Sequence, residues 1–152
     1  MKRYVVLAGA ALVAGAILPA LAAAPASGPS ADQVIAARQA AFDMSAATFG
    51  GMAKAAKDGA AAKDLGFQAH GLAKWAHALP GLFPANSGGG NTKAKPEVWS
   101  DAAGFAKAAA NYAAASDKLA QLSEANDTAG FGAQIGEVKK ACDACHQDYR
   151  QR

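Results

Sequence analysis

Residues 128–149 read Thr-Ala-Gly-Phe-Gly-Ala-Gln-Ile-Gly-Glu-Val-Lys-Lys-Ala-Cys-Asp-Ala-Cys-His-Gln-Asp-Tyr, and their spacing decides the fold. Phe131, Ile135, Val138, Cys142, Cys145 and Tyr149 recur at intervals of four, three, four, three and four. That is the seam of a helix packed against other helices, because steps of three and four return to one face of a 3.6-residue turn. Asn126-Asp127-Thr128 in front of the seam supplies a turn and an N-cap.

Three more helical segments lie upstream. Pro96 suits the first position of a helix, where its missing N–H costs nothing. The stripe Phe105, Ala108, Tyr112, Ala115, Leu119 and Leu122 carries that helix to about Glu124. Another segment spans about Gly59 to Leu79, with Leu65, Leu72, Ala76 and Leu79 on one face, and Pro80-Gly81 stops it. The first runs from Ala31 to Lys57, opened by Ser30 and Gln33 as a capping box. Its stripe reads Val34, Ala37/Ala41, Phe42, Ser45, Phe49 and Met52, and Gly50-Gly51 weakens its last turns. The longest irregular stretch, Pro80 to Lys95, contains Ser87-Gly88-Gly89-Gly90-Asn91. No strand pattern and no internal repeat is evident. The expectation is an all-α, antiparallel four-helix bundle over residues 31–152.

Composition agrees. Alanine is abundant and favours helix, since it loses little side-chain entropy there. Alanine stripes bring helices close together and leave the core to be filled by something else. Of 15 basic residues, Lys2 and Arg3 fall in a segment expected to be removed, leaving 13 against 12 acidic. A near-neutral chain argues against nucleic acid or an anionic membrane surface as partner. Met1-Lys2-Arg3, the uncharged run Tyr4–Leu18, Pro19 and Ala20-Leu21-Ala22 together read as a cleaved export signal over residues 1–22. A retained anchor is the alternative, the run being marginal in length for a span. After removal no membrane segment is expected.

The run Cys142-Asp143-Ala144-Cys145-His146 has the spacing for covalent attachment of one haem c. Two thiols on one helix face can add to the two vinyl groups of one porphyrin, and the adjacent imidazole of His146 is then placed against the iron. Three other readings compete. A redox dithiol would belong in a βαβ setting at a helix N-terminus. A zinc site would need a further ligand, with only His70 and His77 left to supply one. A disulfide is poorly served by a helical i,i+3 pair.

The C-terminal placement of this motif is joined by other landmarks: Ala37-Arg38-Gln39-Ala40, Leu82-Phe83-Pro84, Lys95-Pro96-Glu97-Val98-Trp99 and Tyr149-Arg150. With these the chain resembles the class II c-type cytochromes, and within them the cytochrome c′ family. The resemblance implies a homodimer of four-helix bundles with His146 as the only protein ligand to iron. It places Arg38 and Gln39 at the haem edge, where an arginine can grip a propionate bidentately. It places Arg150, four residues after His146 and so on the same helix face, beside the proximal side of the haem.

Phe42 stands where low-spin relatives carry a ligating methionine. Phenylalanine cannot ligate, so it would cover the sixth position with an apolar ring and leave five-coordinate iron open to nitric oxide or carbon monoxide. Few distal hydrogen-bond donors are expected, so bound oxygen would gain little. Met44 lies about 200° around the helix from Phe42 and is expected to pack against a neighbouring helix. Met52 is read as core, Trp75 and Trp99 as core or interface aromatics, and His70 and His77 as partly exposed. Lys139 and Lys140 are read as a solvated face.

The functional expectation is a periplasmic haem protein, not an enzyme, that binds nitric oxide or carbon monoxide and exchanges electrons with an unidentified redox partner. The alternative is a six-coordinate, low-spin electron carrier.

Overall fold

A computed structural model describes residues 28–152; the expected export signal lies outside the described residues. The main helices are α1 (Ala31–Lys57), α2 (Gly66–Ala78), α4 (Ala102–Glu124) and α5 (Thr128–Tyr149), with a single turn, α3 (Glu97–Ser100), before α4. Short 3₁₀ turns flank α2 at Ala62–Leu65 and Leu79–Leu82, and another, Ala85–Ser87, lies in the long loop. Among the described residues the only β pairing is an isolated antiparallel bridge between Ala94 and Arg150.

The ends of α1 and α5 follow from local chemistry. Ser30 accepts from the Gln33 amide while the Gln33 side chain accepts from the Ser30 amide, which is the full capping box. Asp127 caps α5 by accepting from Gly130 N at 2.9 Å. Gly50-Gly51 does not interrupt α1, which continues to Lys57.

The two middle segments differ from expectation. The second helix does not start at Gly59. The chain turns there with Gly59 at φ 92°, a region that favours glycine. The amides of Ala62 and Lys63 are taken by Thr128 Oγ1 and Asn126 Oδ1 from the turn before α5. The expected helix from Pro96 is broken at Asp101 (φ −116°, ψ 56°), whose Oδ1 caps α4 through Gly104 N. The other Asp101 oxygen accepts from Tyr149 OH at 2.8 Å, so a contact with α5 fixes the break.

Helix α4 is the centre of the bundle and packs most extensively on α2 and α5, whereas α1 meets α2 and α5 over smaller areas. Leu65, Leu72, Ala76 and Leu79 are all buried, as are Phe105, Tyr112, Leu119, Phe131, Val138 and Tyr149. Alanines 69, 73, 76, 109, 113 and 120 supply much of the α2–α4 core. The inward stripe of α1 is Ile35, Arg38, Phe42, Ser45, Phe49 and Met52; Ala37 is exposed. Met44 is 72 % exposed rather than packed on a neighbour, because its side of α1 faces solvent. No helix among the described residues is long and apolar enough to cross a membrane.

Candidate functional site

Cys142 and Cys145 are free thiols on the seam of α5, half-buried against the core. Burial, the neighbouring Asp143 carboxylate and Cys145 push the Cys142 thiol up to about 11. Cys145 is also raised, by burial and then by Asp148. Thiols held protonated are poor nucleophiles, which disfavours a redox dithiol. His146 follows on the same helix with one side open to water. Partial burial and then the Arg150 charge lower its pKa, so the ring is held neutral with a nitrogen lone pair free.

Arg150 lies one residue past the end of α5, with its amide still donating to His146 O at 3.2 Å. Helix α5 ends at Tyr149 and Arg150 is extended (φ −120°, ψ 133°), paired with Ala94 across the bridge. The Lys95 amide donates to Tyr149 O at 3.0 Å, the Gln151 amide to Lys93 O at 2.8 Å, and Lys95 Nζ to Gln147 O at 2.8 Å. The end of the haem-motif helix is thus tied to the long loop.

The other end of that loop is tied to α1 by Arg38, which is only 3 % exposed. Its Nη1 donates to Leu82 O at 3.0 Å and to Ser87 Oγ at 2.8 Å. Its Nη2 donates to Ser87 O at 3.1 Å and to Thr92 Oγ1 at 2.7 Å. The guanidinium also lies 4.5 Å over the Phe83 ring. Both Nη groups are therefore committed to the loop, leaving Nε as the unspent donor. A bidentate grip on a propionate, which the resemblance implies, would need an Nη hydrogen that is bonded to the loop here. Gln39 is similarly engaged, donating Nε2 to Asn91 O at 2.8 Å. The loop backbone at Gly88 lies on Trp99, where an added Cβ would meet the indole at 3.1 Å.

Phe42 lies one turn beyond Arg38, half-buried on the inward face of α1. Its ring meets Trp75 edge-on at 5.2 Å and Phe83 at 6.2 Å. Phe83 continues to Phe105 at 4.9 Å, and Phe105 to Tyr149 at 5.3 Å. Trp99 donates to Phe83 O and Pro84 O. An aromatic wall thus runs from α2 past α1 and the loop to the end of α5.

The remaining candidates lie elsewhere. His70 and His77 line a surface groove between α2 and α4, each beside a carboxylate, Glu124 at 3.2 Å and Asp117 at 2.9 Å. Lys139 and Lys140 pair with Asp143 and Glu137 on their own helix, both exposed. Met52 is buried in the core. Among the described residues no three histidine, cysteine or acidic side chains gather as a metal site. Sequence reasoning missed Ser87, fully buried at the centre of the Arg38 network, and the lock between Asp101 and Tyr149. A serine in a Ser-Gly-Gly-Gly run gives no sign of burial. The Asp101 N-cap, three residues before Gly104, could have been noticed.

An all-helical bundle with Cys-x-x-Cys-His near the end of its last helix defines the bundle class of c-type haem proteins. The family model described as cytochrome C' matches residues 33–150. The chain is 43 % identical over 74 residues to cytochrome c' of Rubrivivax gelatinosus, a match covering 49 % of this chain and 57 % of that relative, so little more than half of its length. It is 33 % identical over 117 residues to cytochrome c' of Alcaligenes xylosoxydans xylosoxydans, covering 76 % of this chain and 91 % of that one. The crystal structure of the Rubrivivax gelatinosus protein superposes with TM-score 0.73 at 36 % identity, over 80 % of this chain and 98 % of that one. A nitric oxide complex of a variant cytochrome c prime from Alcaligenes xylosoxidans superposes with TM-score 0.76 at 28 % identity, over 83 % and 100 %. The chain belongs to the cytochrome c′ family.

Proposed function

We propose that this chain is an exported, periplasmic haem c protein that binds nitric oxide or carbon monoxide at an open axial position and takes part in electron transfer. Family membership implies the haem, and the residues present suit it. The paired half-buried thiols stand on one helix face beside a neutral imidazole. Arg38 is a buried cation whose four hydrogen-bond partners are all neutral oxygens, which suits a site that receives a carboxylate-bearing group nearby. In this reading Cys142 and Cys145 tether the haem and His146 ligates it. Arg38 offers its charge and its Nε to the haem edge, with Gln39 beside it. Arg150 adds positive charge on the imidazole side. The haem iron supplies the gas-binding and one-electron chemistry. The cytochrome c prime variant noted above was solved with nitric oxide, which favours the same ligand here.

The observation that carries the open site is the pair Phe42 and Met44. Phe42 faces inward between Trp75 and Phe83, while the nearest sulfur on α1, Met44, is turned to solvent at 72 % exposure. A side chain that points into water does not serve as an internal sixth ligand, which disfavours the electron-carrier alternative. The pairing of two copies, expected from the family, belongs to the same proposal, as does removal of residues 1–22.

Absorption and resonance Raman spectra of the purified protein test this. High-spin, five-coordinate iron in both oxidation states, changing on addition of nitric oxide, is expected. A low-spin six-coordinate spectrum indifferent to carbon monoxide would replace the proposal with a pure electron carrier.

A further inference from the structure

Polar atoms buried among the described side chains are almost all hydrogen-bonded. Ser87, Ser116 and Ser123 each donate to a backbone carbonyl. Trp99 donates to two. Among the described residues only two buried side-chain atoms lack a partner: Gln68 Oε1 and Trp75 Nε1. A buried N–H without an acceptor is costly, so an indole is an expensive way to fill apolar space that phenylalanine or leucine would also fill.

The position of Trp75 gives the unpaired donor a use. Its ring stands edge-on to Phe42, centroid to centroid at 5.2 Å with planes at 89°. Phe42 is the side chain assigned above to cover the open axial position. The donor therefore belongs to the same small cluster as the lid of that site. The apolar face expected there from sequence contains one buried N–H.

We propose that Trp75 is the hydrogen-bond donor of the distal pocket: its indole N–H meets the electron-rich outer atom of a small ligand admitted past Phe42. This makes Trp75 a specificity-determining residue, and the proposal rests on the gas-binding reading above. A donor stabilises a bound ligand in proportion to the negative charge on its outer atom. Trp75 therefore favours polarised ligands, bound oxygen and nitric oxide, over carbon monoxide. Gln68 is an acceptor two turns earlier on the same chain segment, about 10 Å back along the helix. It has no proton to offer such a ligand through Oε1.

The test uses the haem-loaded protein and its carbon monoxide and nitric oxide complexes, with Trp75→Phe retaining the ring and removing the N–H. Loss of one hydrogen bond is expected to speed nitric oxide dissociation roughly 2- to 10-fold, with a smaller effect for carbon monoxide. The C–O stretch should rise in the variant. In the wild type, exchange into heavy water should shift the ligand vibrations, a measurement that needs no variant. Equal rates and frequencies in Trp75→Phe, with no solvent isotope shift in the wild type, would overturn the proposal while leaving gas binding intact. The same loss in Gln68→Met as in Trp75→Phe would mean that the effect is not specific to the indole N–H, and would also overturn it. A wild-type protein that takes up neither gas would instead refute the gas-binding reading itself, and this inference with it.

Discussion

Replacing Arg38 with alanine removes four hydrogen bonds from an ionised donor to Leu82 O, Ser87 Oγ, Ser87 O and Thr92 Oγ1. Hydrogen bonds to charged groups contribute about 1.5–3 kcal/mol each. The gross sum is an overestimate, because the variant no longer buries a cation, and that desolvation costs several kcal/mol. Ser87 Oγ also keeps its bond to Pro84 O, and water can reach Leu82 O and Thr92 Oγ1, which are only partly buried. The net loss should be about 2–4 kcal/mol, corresponding to a fall in Tm on the order of 10 °C for a domain of this size. Lysine has one point of charge and no planar fork, so Arg38→Lys should recover about half. Thermal unfolding of the haem-loaded protein by circular dichroism gives the stability. Amide exchange at Ser87 and Ala94, bonded to Pro84 O and Thr92 Oγ1, reports whether the loop is the part that loosens. A loss below about 0.5 kcal/mol with unchanged exchange at both amides would refute the reasoning, since surface substitutions do no more than that.

Three further outcomes are expected. The hydrogen bond to Asp101, with burial adding to it, raises the Tyr149 phenol from its usual value to about 12. Its stabilising contribution is therefore complete below about pH 10 and is lost as pH rises through 12; a phenolate absorbance titration should show this, and Asp101→Asn should bring the midpoint back toward 10. An added Cβ at Gly104 would collide with the Asp101 carboxylate and the Tyr149 hydroxyl, so Gly104→Ala should cost about 1–3 kcal/mol in denaturant unfolding, and an unchanged midpoint would dismiss the lock. The Cys142→Ala/Cys145→Ala double variant should lose all haem on a denaturing gel, and normal haem staining would refute covalent attachment at these residues.

The two terminal helices were legible because their signals are local. Ser30 with Gln33, and Asp127 before the α5 seam, fix each start within a few residues, and burial along α5 follows the expected stripe. The middle was less so. Nothing near Gly59 announces that Thr128 and Asn126, far along the chain, would take the amides of Ala62 and Lys63 and delay the helix. Asp101 is a residue type that can cap a helix, but what makes it break one here is the contact with Tyr149, distant in sequence. The Cys-x-x-Cys-His motif was readable because three residues of two types at fixed spacing carry its chemistry. Arg38 was singled out as a candidate, but the four oxygens it binds, from Leu82, Ser87 and Thr92, are non-local, and so is the commitment of its fork. Trp75 reads as a core or interface aromatic; only the three-dimensional arrangement reveals that its N–H has no partner.

The loop held by Arg38 at one end and by the α5 terminus at the other has a kinetic consequence. Its fastenings join residues far apart in sequence: 49 for Arg38 with Ser87 and 52 for Lys95 with Gln147. Helical turns close within a few residues and form early, whereas distant contacts wait for chain closure. Protection of the Ser87 and Lys95 amides should therefore lag behind that of the helix interiors when the chain refolds, which makes the loop a clock for the last stage of assembly.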